Sequence, residues 1–375
     1  MMRSFRETFR NAFTGPSLPY SSPIASGTHW LNSASRRRTS PGAFKSWSQN
    51  LGTRAAIAIE RDVETQAQSQ SVYRARPQWY KISCALAELV TLMTQRIVSD
   101  LQNLGLRSGD TVLVRCAAKA VNVETGSPAK ALFDSICHTI GPTGTLVALS
   151  FTSDFYFWQK QRAAQFPFHS RTKSGTGALP QMVLDHPASV RSRHPTNSFV
   201  AIGPNANAIV QGHDESSTSF FPIRNLIHLG GKLLLVGCVE SSPGFSTVHR
   251  VQEDLGLADK TLMSRMRGCA VQEADGIRWF ERKDVAGCSA GFGKFYRHYE
   301  SAGILRTGLV GGAYSIFADA AAAYGVERMI MEKDPTAAFC DDPCCTSCGL
   351  RTYAPARMTK FFLSVPRKVA RRFLG

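Results

Sequence analysis

The 375-residue chain has no run of 18 uncharged apolar residues, so nothing in it reads as a helical membrane span. Acids are almost missing from the first 59 residues, where Glu7 is the only one. No internal repeat is present, which excludes solenoid and propeller architectures. The middle of the chain also lacks the charge surplus that its formal net charge of +16 suggests. Residues 1–99 hold 13 basic and 5 acidic side chains, residues 100–335 hold 24 and 21, and residues 336–375 hold 7 and 2. The excess therefore sits at the two ends. A nucleic-acid binder carries its basic face on the folded domain, so no nucleic-acid partner is expected. Basic ends suit a membrane surface, a polyanion or plain solvation.

Residues 1–76 are rich in Ser, Arg and small side chains and show no sustained periodicity. They read as a disordered basic arm; an organellar transit peptide and an over-extended start fit the same composition. The character changes near Pro77. YKISCALAELVTLMTQRIVSDLQNLGL repeats apolar residues at helical spacing and stops at Gly105 and Gly109. The segments 111–114, 144–151, 198–203 and 232–238 are short apolar runs of the kind that form buried strands. SPAKALFDSICHTIG reads as a helix with Ser127 as N-cap and Gly141 at its end. FSTVHRVQEDLG (245–256) opens as a helix, and YSIFADAAAAYGVERMIM (314–331) reads as a late one. Buried strands alternating with helices predict an α/β/α architecture, a central mostly buried sheet flanked by helices, in a single domain over 77–335.

Residues 336–375 differ again. Of the ten cysteines, six are dispersed in apolar surroundings and read as reduced thiols of a cytoplasmic protein. The other four, Cys340, Cys344, Cys345 and Cys348, cluster in FCDDPCCTSCGL. Cys345 and Cys348 have the C-x-x-C spacing of a tetrahedral thiolate site, and Cys340-x4-Cys345-x2-Cys348 also fits an iron–sulfur spacing. Structural zinc is the metal of choice because no redox partner motif accompanies it. Four ligands in nine residues would be cramped, so Cys288 or Cys269 is a candidate to complete the set; unliganded thiols stay open as well. Beyond the knuckle, Phe361, Phe362, Val365, Val369, Phe373 and Leu374 alternate with Arg and Lys, interrupted by Pro366. This basic amphipathic tail, 355–375, is a candidate for peripheral membrane contact.

Two histidines in RSRHPTNSFVAIGPNANAIVQGHDE (191–215) raise the question of a catalytic base. On local grounds His194, ahead of Pro195, shapes a turn, and His213 is a loop-end histidine. A wider pattern changes the weighting. LGLRSGDTVLV (104–114), GPTGTLVALSFT (141–152), SGTGALPQMVLDHPASVRSRHPTNSFVAIG (174–203) and GHDESSTSFFPIRNLIHLGGKLLLVGC followed by FSTVHRVQED (212–254) resemble, in order, segments of the aminoglycoside 3-N-acetyltransferase family.

The resemblance implies acetyl transfer from acetyl-CoA to a sugar amine, with a histidine base and a glutamate that orients it. The matching base is His213 and the matching acid Glu253. Amine attack on a thioester needs a base near neutrality, and imidazole is the usual one. Thr247 is a candidate donor to the thioester oxygen. Asp214, Glu215, His194 and His249 are candidate acceptor-binding residues. On the donor side, Arg115, Cys116 and Thr152 are the candidates. There the chain departs from the family: Arg115-Cys116-Ala117 replaces a small polar His-Ser-Ser, Leu149 a proline, and Gln181 a glutamate. Glu253 stands four residues after His249, where the family spacing is three. An N-acyltransferase of a surface-polysaccharide amino sugar and a non-catalytic, metal-stabilised scaffold remain as alternative readings.

Overall fold

Along β1 (Thr111–Cys116), β2 (Thr145–Leu149) and β6 (Lys232–Val236), nearly every residue is buried, on both faces. That is the mark of a strand covered by helices on each side. In the computed structural model, β1 pairs in parallel with β2 and β6, setting Leu113 beside Val147 and Leu233. The mixed seven-stranded sheet runs β4-β5-β2-β1-β6-β10-β9. Its outer strands β4 (Val190–Arg191), β5 (Phe199–Ile202), β9 (Arg306–Val310) and β10 (Ala313–Asp319) are antiparallel to their neighbours. Strand alternation divides the core. Leu113, Val147, Leu233 and Leu235 point to one layer of helices, and Val112, Val114, Leu146 and Leu234 to the other. The α/β/α expectation is met.

The structure describes Leu92 and residues 94–123, 126–284 and 288–374, with side chains described up to Pro366. All fall within one unit, Cys84–Gly375. The basic arm and the boundary at residue 76 lie outside the described residues. The helix read before Gly105 is present where described, over 94–104. Ile97, Leu101 and Leu104 bury its inner face. Ser127 caps the helix Pro128–Ile140 as expected, and Gly141 ends it at φ 64°.

Two segments differ from the sequence reading. Ala313–Asp319 is strand β10, and the late helix spans only Ala320–Lys333. Asp319 makes the break, because its carboxylate accepts from the N–H groups of Ala321 and Ala322 and starts the helix there. A second sheet, with order β3-β7-β8, was not anticipated. Its strands are β3 (Phe155–Tyr156), β7 (Arg267–Glu273) and β8 (Gly276–Arg282). The β7–β8 pair closes through two residues, with Gly276 at φ 149°.

The tail forms a helix, Pro355–Leu374, that runs through Pro366 rather than stopping there. Part of its apolar side is taken by the protein itself: Phe361 is buried against Met263 and Leu350, and Val365 packs beside them. Phe362 and Leu363 stay exposed. No helix among the described residues is long and apolar enough to cross a membrane.

Gly203 ends β5 at φ 118°, where an added Cβ would meet the Gly144 carbonyl oxygen at 2.3 Å. Both the conformation and the space require glycine. Gly203→Ala is expected to cost at least about 1–3 kcal/mol. A urea midpoint unchanged from wild type would refute this.

Candidate active site

The parallel strands end on one rim, as ligand sites in α/β sheets usually do. The turn between β4 and β5 reaches that rim because β5 is antiparallel to β2, with Phe199 opposite Leu149. This turn carries Ser192 and His194. The segment after the helix Ala206–Val210 brings His213 beside them, and the Arg193 N–H donates to the His213 carbonyl at 3.0 Å.

His213 is 2% exposed and His194 is 1% exposed. Their rings stack with centroids 4.9 Å apart, and Phe199 meets the His213 ring edge-on. His213 Nδ1 lies 2.9 Å from Ser192 Oγ, while its Nε2 is buried without a hydrogen-bond partner. Burial pushes the His213 imidazole well below its usual range, and His194 adds to this; Asp284 and Asp214 oppose it. His194 Nδ1 accepts from the Asn197 N–H at 3.0 Å, so the neutral ring carries its proton on Nε2 and is a donor there. Burial, with Arg282 nearby, lowers His194 to about 3.

His194 also lines a cavity of about 280 Å³ whose other walls include Glu215, Glu253, Asp259, Glu281 and Asp284. Lys283 is the one cation among its lining residues. Glu215 is gripped by Arg278 at 2.6 and 2.7 Å. Glu253 does not touch either histidine above. It accepts from Thr218 Oγ1 at 2.7 Å, from the Phe220 N–H at 2.8 Å and from Arg250 at 3.1 Å. Burial, then Asp284, pushes its carboxyl up to about 8 against the pull of those donors. The residue on the far nitrogen of His213 is thus Ser192, not the expected glutamate.

Other sequence candidates fall elsewhere. Thr247 is fully buried and donates to Glu327 at 2.6 Å, so it faces the core and no cavity. Arg115 spends its guanidinium on the carbonyls of Ser242 and Gly244 and on the Ser242 hydroxyl, clamping the loop after β6. Three of its five N–H donors are used in this way. Cys116 is pushed up to about 12 by burial, then by Cys238, and stays a neutral thiol. Thr152 donates to the Pro195 carbonyl at 2.5 Å and braces the histidine turn. His249 packs between Phe220 and Phe292 with Nδ1 3.1 Å from Gln252, out of the acidic cavity. Asp214 accepts from the Ser216 N–H and hydroxyl and pairs with Arg193 at 3.6 Å. It lines a separate cavity of about 600 Å³ that His213 also borders.

The residues missed are Ser192, Thr218 and Asp284. Ser192 stands in the same Arg-Ser-Arg-His-Pro turn as His194 and was the findable one. Asp284 comes from the end of β8, 71 positions after His213, and accepts from the Ser219 N–H at 2.7 Å. No spacing rule could have linked them.

The cysteine cluster forms with Cys288, one of the two candidates to complete it, in place of Cys344. The sulfurs of Cys288, Cys340, Cys345 and Cys348 all lie within 4.8 Å of one another. Cys344 stands outside this set, and Cys269 is buried in β7.

Comparison with known proteins bears on the family and the fold. Residues 113–332 match the family model described as aminoglycoside 3-N-acetyltransferase. Aminoglycoside N(3)-acetyltransferase VIII of Streptomyces fradiae is 32% identical over 157 residues, 38% of this chain and 54% of that protein. The first curated relatives are thus matched over about half their length. Aminoglycoside N(3)-acetyltransferase III of Serratia marcescens is 28% identical over 60% of this chain and 92% of its own. Among solved structures, aminoglycoside acetyltransferase AAC(3)-Xa superposes with a TM-score of 0.55 at 27% identity. That match covers 67% of this chain and 98% of AAC(3)-Xa.

Three buried imidazoles and two raised carboxyls make stability depend on pH. His194 and His249, each lowered to about 3, and His213 gain protons on unfolding below pH 6.5, so their contribution is lost as pH falls. Glu253 and Glu327, each raised to about 8 from 4.5, lose protons on unfolding, so theirs is lost as pH rises toward 8. The melting temperature should peak at about pH 6 by this balance. Glu253→Gln should flatten the alkaline limb; a limb unchanged in that variant would contradict the assignment.

Proposed function

The chain belongs to the aminoglycoside 3-N-acetyltransferase family, and on that footing we propose that it moves the acetyl group of acetyl-CoA to an amine of an aminoglycoside or a related amino sugar. The observation that carries this reading is the pair of stacked, buried histidines beside a cavity lined by five acidic side chains. A polycationic sugar suits those walls, and a lipid-linked sugar phosphate would be repelled by them. The lining of this cavity is acidic although the chain as a whole is basic. A solved structure of the same fold, AAC-IIIb, is a binary complex with CoASH, which supports acetyl-CoA as donor.

In the proposed step the amine nitrogen attacks the thioester carbonyl. The C–S bond breaks, and coenzyme A leaves as the thiol. His213 takes the N–H proton and passes it to the departing sulfur. Burial keeps the ring neutral at pH 7 in the free protein, a basicity below the near-neutral one expected of such a base, and its buried Nε2, near the Thr218 backbone, is the atom to which the proton would go. That needs the ring proton on Nδ1, donated to the Ser192 hydroxyl, which also accepts from the Phe199 N–H at 2.8 Å. His194, a donor at Nε2, is suited to hold a substrate hydroxyl or the developing oxyanion. Asp284 attracts the ammonium form, while Glu253, its carboxyl raised to about 8 and so largely neutral at pH 7, offers a hydrogen bond instead.

Coenzyme A release with a panel of aminoglycosides and amino sugars tests this. His213→Ala should lower kcat by about 10²–10⁴ with coenzyme binding retained. Ser192→Ala should lower it less and shift the acid limb of its pH profile. His194→Ala should act more on KM. Unchanged turnover in His213→Ala would end the base assignment, and no coenzyme binding at all would favour a scaffold.

A further inference from the structure

We propose that Cys288, Cys340, Cys345 and Cys348 bind one zinc ion as a four-thiolate structural site that fastens the C-terminal segment to the catalytic domain. Four sulfurs within 4.8 Å of one another enclose a space of the right size. With Zn–S bonds of about 2.3 Å, tetrahedral sulfurs lie about 3.8 Å apart, so a small contraction closes the site. A polynuclear iron–sulfur cluster needs its cysteines farther apart, because inorganic sulfide stands between them. Binding exchanges four S–H protons for four S–Zn bonds, and the protons go to solvent.

The chain brings the ligands from two places. Cys345 and Cys348 flank the first turn of the helix Thr346–Gly349, and Cys340 precedes them. Cys288 comes from the far side, capping the 3-10 helix Ser289–Phe295, where its sulfur accepts from the Ala290 N–H at 3.3 Å. The surroundings suit a centre with a net charge of −2. Arg357 donates to the carbonyls of Cys340 and Asp342, with its Nη2 4.0 Å from the Cys340 sulfur. Arg351, 2% exposed, is fixed on the carbonyls of Ser347, Leu257 and Ala258. Lys294 ties the Phe339 carbonyl and Asp341 to the 3-10 helix at 2.8 and 2.6 Å. Backbone contact is equally tight, since a Cβ on Gly291 would meet the Ala338 oxygen at 2.5 Å.

The test uses the full chain, expressed with added zinc and purified without chelator. Elemental analysis should find about one zinc per chain. Cobalt in its place should give the intense visible bands and sulfur-to-cobalt charge transfer of a tetrahedral tetrathiolate site. Cys288→Ser and Cys345→Ser should hold less than about a tenth of that metal, and Cys344→Ser should keep it. Removing the zinc should lower the melting temperature. A zinc-free protein with titratable thiols, a mass lower by four hydrogens from two disulfides, or iron with acid-labile sulfide would each overturn the proposal. So would loss of metal in Cys344→Ser with retention in Cys288→Ser. If Cys288→Ser does not fold, the cobalt spectrum of the wild type decides, and bands lacking tetrathiolate intensity would refute it.

Discussion

Three imidazoles and two carboxyls are held out of water at one end of a buried sheet, and much of the structure is arranged to make that tolerable. A buried polar group without a partner costs roughly 1–3 kcal/mol. Each of these groups is therefore met by a fixed neighbour: Asn197 for His194, Ser192 for His213, Gln252 for His249, Thr218 and Phe220 for Glu253, and Thr247 and Tyr299 for Glu327. Most of those partners are backbone N–H groups or short hydroxyls, which have little freedom to lose. His213 Nε2 and Glu327 Oε2 are the fully buried atoms of this set without a hydrogen-bond partner. Only the first is on a ring that borders a cavity.

The sheet was legible because its evidence is local. Each apolar run of four to eight residues names its own strand, and the Ser127 and Gly141 signals bound their helix without help from elsewhere. β10 was lost because SIFADAAAA carries apolar residues without a break, and only the Asp319 cap divides strand from helix. The β7–β8 hairpin had a usable sign in Ala274-Asp275-Gly276, a tight-turn sequence between alternating segments. Side-chain direction is another matter. Arg115 and Thr247 stand in the right segments for a donor site, yet one turns to the loop after β6 and the other into the core. Position along the chain does not encode that choice.

Family pattern and geometry divide the work on the base. The pattern selects His213 over His194, though both are buried and stacked. Geometry then assigns them unlike roles, because the Asn197 N–H fixes the His194 tautomer while the Ser192 hydroxyl can accept or donate. The acidic walls of the neighbouring cavity resolve an apparent conflict in the composition. A chain of net charge +16 repels a polycation at long range, but at physiological salt the Debye length is about 8 Å. At the cavity itself the nearest charges are those of its acidic walls and Lys283, and these set the local field.

The C-terminal segment bears on the site through packing. The 3-10 helix held by Cys288 carries Phe292, whose ring meets His249 at 4.8 Å. His249 stacks on Phe220 at 4.3 Å, and Phe220 packs against Phe199 beside His213. Phe220 also gives its N–H to Glu253. Close-packed interiors transmit small displacements, so loosening the helix at Cys288 changes the surface against which both Glu253 and the His213 ring are seated. On the proposed reading, a cysteine site with no chemistry of its own would bear on the candidate active site by holding one aromatic wall still.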